Sequence, residues 1–589
     1  MFRIPYRTII LTVIVLAFTL PKHDVAPAAA AAPAFGQSSP DELTGLWYAK
    51  RRFGPDVRGR LVLHRANGAW RASLAGRTAP VRVNGDSLTF ELPGDGGSFA
   101  GRVQRGRTSP DSVLAGRWVT ANRSTAPLTL VPCGAACFQG EVVALDDAFT
   151  FWLKVSRLAD GSLSAFLRNP ERNLGGLWIP VKSIRRDGET VAFLDRNGRT
   201  ISSGPFRDGV MSVPLRGGTY DFRRLPDSAY TDYYPRGRPS VKYTYVPPRP
   251  KSDGWEVGRL RDVGIAEDSI AAFVQRLIDL PIDSVYTPQT HALLIARHGK
   301  LVLEEYFHGE HADKPHDTRS ASKTHVTALI GAAMQAGVPI TPATRVYASL
   351  RPNATDLPPR KQAVTLEHLL TMTGGFDCND SGERPGDEDV IANQDTNPDW
   401  SSLFLGVEMV RDPGAVAAYC SMEPYVAGLV LERASGRTLP DLFHELLAEP
   451  LDYQRYYLGL TPLGEVYFGG GHRFIARDFL KLPQLYLDGG TWRERRILSR
   501  EWVDRSITPR YKLGSRMYGY LWWIIDYQHQ GRTIKAYAQL GNGSQNALFI
   551  PELDLAIATF GANYNSPSIN YLLNVLVPRY ILPAVDPRR

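Results

Sequence analysis

Several familiar sources of function are missing from this sequence. It contains no Gly-x-Ser-x-Gly, so a serine presented on a strand-to-helix elbow is excluded. Only four cysteines stand among 589 residues, and no His/Cys/Asp spacing resembles a zinc site, so neither a metal nor a cofactor is expected. After the first twenty residues no long apolar run occurs, which excludes a multi-span membrane architecture. Lys+Arg 68 against Asp+Glu 60 leaves a net charge of only +8. With no local basic stripe, that balance gives no nucleic-acid footprint. The 43% hydrophobic and 22% charged fractions belong to a folded globular chain rather than a disordered one, and the length implies more than one domain.

The N-terminus is informative. Arg3 and Arg7 precede the apolar run Thr8 to Leu20, and an Ala-rich stretch follows from Ala26 to Ala34. This order is that of a secretory signal peptide, taken as residues 1–36, and implies an exported, periplasmic or secreted protein. Contact with a membrane is expected only if that segment stays uncleaved. Four cysteines in an exported chain are expected to pair. Of the three pairings, Cys133 with Cys137 and Cys378 with Cys420 is the expected one.

Residues 40–225 read as an all-β domain. Short β-forming runs such as Arg60–His64, Leu88–Leu92, Phe151–Val155, Val191–Leu194 and Val210–Pro214 are separated by Asn-Gly and Asp-Gly turns, among them Asn67-Gly68, Asn84-Gly85 and Asp187-Gly188. Residues 66–74 are echoed by 159–167, which suggests two similar sheets or one closed barrel made from both halves. Trp47, Trp70, Trp118, Trp152 and Trp178 either line a ligand groove or, as strand spacing favours, fill a core. Residues 226–252, rich in Pro and Tyr, read as a stiff linker.

From residue 253 to 589 the pattern changes. An amphipathic helix over Ala266–Leu280 precedes a hairpin of Ala292–Ala296 and Leu301–Tyr306. A long helical section then leads to strands at Tyr518–Ile525, Thr533–Gln539, Asn546–Ile550 and Leu555–Phe560 and a closing helix at Ile569–Val577. Within this part lies Arg319-Ser320-Ala321-Ser322-Lys323-Thr324, which holds the only Ser-x-x-Lys of the chain. The run Val326 to Met334 behind it is apolar and alanine-rich and stops at Gly337 and Pro339. Ser320 and Lys323 at the start of that helix share one face, and a lysine desolvated there is placed to take a proton from the serine.

These landmarks occur in the order of a known family. Leu294-Ile-Ala-Arg-His-Gly-Lys-Leu-Val302, Arg319–Lys323, Val364–Gly374, Pro413-Gly414, Tyr419-Cys-Ser421, Gly428–Glu432, Gly469-Gly-Gly471 with Ala476-Arg-Asp478, and Tyr518–Trp523 resemble the serine β-lactamase-like hydrolases. That family includes class C β-lactamases, D-alanyl-D-alanine carboxypeptidases, esterases and 6-aminohexanoate-oligomer hydrolases. The resemblance implies an α/β (α+β) β-lactamase/transpeptidase-like domain, an antiparallel sheet flanked by helices with a helical subdomain, preceded by the all-β barrel or meander. It implies Ser320, Lys323 and Tyr419 as catalytic residues, Ser421 on the substrate side, and Gly541, Asn542, Gly543, Ser544 and Gln545 as an edge strand that binds substrate and completes an oxyanion hole. Here the chain departs from β-lactamases: no Lys or His opens the Gly541–Gln545 stretch, so the cation that would hold a penicillin carboxylate is missing.

The expected activity is therefore hydrolysis of esters or linear amides, of cell-wall origin or otherwise, through an acyl-enzyme. Two alternatives stand beside it: cell-wall peptidase or β-lactamase chemistry, and an envelope ligand-binding protein with a degenerate hydrolase domain. Asp377-Cys-Asn379-Asp-Ser381-Gly382 with Glu388 fits a bare calcium-loop expression, but Arg384 and Pro385 break it, and an acidic rim over the site is the preferred reading. His325 and His472 read as structural.

Overall fold

A computed structural model describes residues 42–586 except 53–56, 106–111, 135, 144, 146–147, 172–178, 216–217, 285 and 395. The expected signal segment and Trp178 lie outside the described residues.

The β-rich half separates into a barrel and a second sheet. Gly45–Arg52 pairs with Ala148–Arg157 on one side and with Gly218–Leu225 on the other. This closes an eight-stranded barrel that continues through Leu163–Arg168, Ser183–Asp187, Thr190–Leu194, Thr200–Arg207 and Val210–Leu215. The strands between residues 59 and 142 form the other sheet. One closed barrel made of both halves is thus corrected: the first half contributes a single strand, and its remaining hairpins pair with one another. Trp47, Phe193, Phe206, Met211 and Phe222 fill the barrel, so it is a packed core. Trp118 joins the core of the second sheet, with Trp70 packed against it, and Trp152 is buried beside Tyr233.

The segment 226–252 contains neither helix nor strand, yet it packs along the following half. The Tyr245 hydroxyl donates to the Val302 carbonyl at 2.7 Å, and Arg236 pairs with Glu305.

The C-terminal half is built on one sheet. Its strands are β1 (Thr290–Arg297), β2 (Lys300–Tyr306), β3 (Trp523–His529), β4 (Arg532–Gly541), β5 (Gln545–Ile550) and β6 (Leu555–Gly561), in the order β2-β1-β6-β5-β4-β3. Glu256–Val257 flanks β2, and Arg516–Tyr518 then Tyr511–Leu513 extend beyond β3. β1 alternates between two cores: Leu293 and Ile295 face α1 (Glu267–Ile278) and the closing helical segment Leu572–Ile581, whereas Ala292, Leu294 and Ala296 face α2 (Thr324–Gln335), α3 (Met422–Ser435) and α4 (Ala476–Leu487). Burial on both faces explains why such strands read as nearly continuous apolar runs. The helical section therefore covers one face, and its α2 end carries the Ser-x-x-Lys segment to the sheet.

The two halves share backbone pairing. Leu458 and Gly459 pair with Thr125 and Ser124 at the start of Ser124–Gly134, a strand of the second sheet. The cysteines pair as expected, Cys133 with Cys137 and Cys378 with Cys420. The second bridge joins positions 42 residues apart in sequence, and closing a loop of that length stabilises the chain by about 4 kcal/mol in the chain-entropy account. Cys420→Ser is expected to lower the urea midpoint by an amount equivalent to roughly 2–4 kcal/mol, and Cys133→Ser, which opens a loop of only 4 residues, by clearly less; equal losses would contradict this account.

Candidate functional site

Ser320 does not lie in the first turn of α2. Residues Arg319–Lys323 form a 3-10 turn that leads into the helix. At three residues per turn, positions i and i+3 eclipse, which brings Lys323 Nζ to 2.8 Å from Ser320 Oγ as donor. The turn begins with Arg319 at φ +50°, a left-handed conformation that costs a non-glycine residue on the order of 1–2 kcal/mol. Asp317 holds it there: its Oδ1 accepts from the Arg319 backbone at 2.9 Å and its Oδ2 lies 3.1 Å from the guanidinium Nε, while the Tyr564 ring lies 5.1 Å away on the other side.

Lys323 is 1% exposed. Its ammonium donates also to the Gly469 carbonyl and lies 4.9 Å from the Tyr419 ring centroid. Tyr419 stacks on Trp523 at 5.9 Å between centroids. Ser320 and Tyr419 line one cavity of about 400 Å³, and Lys323 is buried beside both of them, although the Tyr419 hydroxyl makes no hydrogen bond to Ser320 or Lys323.

The Gly541–Gln545 stretch is placed differently from expectation. β4 pairs with both β3 and β5, so it is an interior strand, extended outward by β3 and two short strands. Gly541 is needed for contact: a Cβ there would stand 2.3 Å from the Thr318 carbonyl and 3.1 Å from the Ala321 nitrogen. Gly541 and Asn542 line the cavity with Leu540. Gly543, Ser544 and Gln545 turn away. Ser544 Oγ donates to the Ser568 and Ile569 carbonyls, Gln545 Nε2 donates to Gly561 and Tyr564, and a Cβ on Gly543 would meet the Tyr564 ring. These three residues hold the turn rather than face the cavity. Ser421 borders the cavity but is fully buried, its hydroxyl donating to Asp380 Oδ2 at 2.5 Å.

Sequence reasoning missed Asn546. It borders the cavity from β5, is 1% exposed, and its amide nitrogen has no hydrogen-bond partner. One unlabelled asparagine in an apolar strand gave no signal beyond being polar.

The calcium-loop expression, already broken by Arg384 and Pro385, does not describe this loop. The loop wraps around a carboxylate: Asp387 Oδ1 accepts from the backbone of Asn379 and Asp380, and Oδ2 from Gly382, Glu383 and Arg384 and from the Ser381 hydroxyl. Burial acts against this charge, but the amide donors outweigh it and hold the Asp387 carboxyl below its ordinary range. Amides that converge on an anion are the reverse of a cation site. The loop places Asp380, Asp387, Glu388 and Asp389 along the cavity, with Arg516 opposite, which agrees with the acidic rim. Glu388 Oε2 accepts from the Tyr467 hydroxyl at 2.6 Å. His325 and His472 are buried, and burial pushes each imidazole down to about 3. His325 stacks on Phe474 and His472 Nδ1 accepts from the Gly459 backbone, as structural residues should.

Burial first, and the charge of Glu388 second, push the Asp380 carboxyl up to about 6, against the opposing pull of Lys323 and Ser421. A carboxyl raised in the folded state contributes stability that is full at low pH and is lost as pH rises from about 4 to about 6. The expected result is an inflection near pH 6 in kcat/KM for a neutral ester and a fall of melting temperature across the same interval, both removed by Asp380→Asn. Profiles unchanged in that variant would contradict the assignment.

Residues 284–567 match the Beta-lactamase family model. The 6-aminohexanoate-dimer hydrolase of Paenarthrobacter ureafaciens is 25% identical over 294 residues, 46% of this chain and 71% of that protein. Among solved structures, a family VIII carboxylesterase aligns at 15% identity and TM-score 0.40, covering 51% of this chain and 91% of its own. A penicillin binding protein from Bacillus halodurans aligns at 18% identity and TM-score 0.38, covering 46% and 92%. Residues 284–567, just under half of the chain, are thus similar to the beta-lactamase family, and the chain resembles hydrolases of the serine beta-lactamase type there.

Proposed function

We propose that this chain is an exported serine hydrolase that cleaves esters or linear amides through an acyl-enzyme on Ser320. The observation that carries this reading is the 2.8 Å contact between the buried Lys323 Nζ and the Oγ of Ser320, which lines the cavity. Lys323 in its neutral form takes the serine proton as Oγ attacks the substrate carbonyl. Tyr419, beside the Lys323 ammonium, relays that proton to the leaving alkoxide or amine, and the route reverses when water attacks the acyl-enzyme. The backbone N–H of Ser320 and an N–H from the strand end at Gly541–Asn542 receive the oxyanion. The close approach that Gly541 permits supports this placement.

The charges along the cavity bear on the substrate. Asp380, Asp387, Glu388 and Asp389 outnumber Arg516, and Lys323 is turned toward Ser320 and Gly469. An anionic substrate such as a penicillin or a peptide ending in D-alanine would place its carboxylate in a predominantly negative field. A neutral ester or amide carries no such penalty, and the named substrate of the curated relative, 6-aminohexanoate dimer, belongs on the test panel. Export rests on the Arg3, Arg7 and Thr8–Leu20 pattern and agrees with two disulfides, which persist in oxidising compartments.

Ser320→Ala is expected to reduce hydrolysis of a short-chain aryl ester by at least about 10³-fold with an unchanged circular-dichroism melt, and Tyr419→Phe to reduce kcat by roughly 10²-fold. A fluorescent penicillin should label the wild type weakly. Retained ester hydrolysis in folded Ser320→Ala would refute the mechanism, and strong penicillin labelling would move the substrate class to β-lactams.

A further inference from the structure

Outside the cavity, three side chains far apart in sequence meet at the junction of the two halves. His291 stands on β1, Glu310 follows β2, and His316 lies four positions before Ser320. One ligand atom from each lies within 4.8 Å of the other two. His291 is 1% exposed and His316 9%.

The hydrogen bonds fix where the ring protons are. His291 Nε2 lies 3.0 Å from the Pro170 carbonyl and His316 Nδ1 lies 3.1 Å from the Asp317 carbonyl. A carbonyl only accepts, so both of these nitrogens carry the proton in a neutral ring. The remaining nitrogens, His291 Nδ1 and His316 Nε2, are then both bare, and they face each other at 2.9 Å. Two lone pairs at that separation repel unless a cation lies between them. Imidazoles whose outer N–H is held by a backbone carbonyl are oriented as metal ligands are, and the Glu310 carboxylate supplies a third, anionic donor. Lys314 donates to one Glu310 oxygen at 2.6 Å, and the second oxygen remains for an ion. The ring of His316 is fixed by stacking on Phe560 at 4.6 Å.

We propose that His291 Nδ1, His316 Nε2 and Glu310 form a binding site for a divalent zinc-class cation that ties the lead-in of the Ser320 turn to β1 and, through Pro170, to the N-terminal half. Two imidazoles and one carboxylate are a donor set suited to Zn²⁺, with a fourth position for water. Tetrahedral coordination with Zn–N near 2.0–2.1 Å needs the two nitrogens about 3.3 Å apart, a separation that small ring rotations supply. Through His316 the ion would brace Asp317, whose carboxylate clamps Arg319, so its role is positional and no reaction step passes through it. The site is invisible to sequence motifs because its ligands are 19 and 6 residues apart, on three separate elements.

The test uses the full, untagged chain, equilibrated with Zn²⁺ and then dialysed against metal-free buffer. The expected result is about one zinc per chain by elemental analysis, a melting temperature that falls with chelator and recovers with Zn²⁺, and a visible absorption band on Co²⁺ substitution. His291→Gln and His316→Gln should each abolish retention, and Glu310→Gln should weaken it by at least about tenfold. His298→Gln, on an exposed imidazole of the same sheet, should change nothing. If the imidazole variants fail to fold, the wild-type Co²⁺ spectrum and the Glu310→Gln stoichiometry decide alone. A wild type that holds no zinc and melts identically with and without chelator overturns the proposal in favour of a proton shared between the rings. Zinc retained undiminished by the variants overturns it as well, by locating the ion elsewhere.

Discussion

A lysine ammonium almost wholly removed from water is the constraint around which the C-terminal half is built. Burying such a charge costs several kcal/mol unless donors find partners, and Lys323 finds two oxygens, Ser320 Oγ and the Gly469 carbonyl. Each partner imposes its own demand. The 3-10 turn that eclipses Ser320 over Lys323 requires Arg319 in a left-handed conformation, and so the Asp317 clamp. The Gly469 carbonyl can reach the ammonium only because chain 469–471 passes directly behind the turn, where a Cβ on Gly470 would lie 3.2 Å from the Arg319 carbonyl carbon. Gly541 closes the opposite side under the same rule. Three backbone segments converge on five residues, and glycine stands where they come closest, at Gly470 and Gly541.

The acidic loop answers the same charge from the cavity side. Asp380 and Glu388 both act on Lys323 electrostatically, yet each is kept off it by another partner, Ser421 or Tyr467. The disulfide explains how that arrangement is held. Cys420 lies between Tyr419 and Ser421, and Cys378 lies just before Asn379 and Asp380. One covalent bridge therefore sets the distance between the tyrosine segment and the acidic loop.

What was legible in the sequence follows from what is local. Ser-x-x-Lys needs only three residues of spacing, and the hairpins of the β-rich half are announced by Asn-Gly and Asp-Gly turns. Barrel closure depends on Gly45–Arg52 pairing with Ala148–Arg157 across about a hundred residues, which no local pattern records. The interior position of β4 was hidden for a similar reason, since the strands that cover it are short and weakly patterned. The calcium expression shows the limit of such motifs: its ligand positions matched even though Arg384 and Pro385 broke the rest, but the backbone turns its amides inward to Asp387, and a motif written in side chains cannot register that reversal. Ser544 and Gln545 carried a motif resemblance, whereas Asn546, one residue further, is the polar group left facing the cavity.

Among the described residues, the N-terminal half contributes nothing to the cavity wall, whose lining runs from Ser320 to Asn570. It meets the site from behind, at two places. Ser124 and Thr125 pair with Leu458 and Gly459, and Gly459 donates its N–H to His472, whose carbonyl accepts from Thr318 immediately before the turn. Pro170 fixes His291, which faces His316 just upstream of Asp317. Both routes end on the backbone that enters the Ser320 turn. The barrel and its companion sheet thus act on the geometry of a strained turn. A change in that half would therefore register in the placement of Ser320 against Lys323 rather than in contacts with substrate.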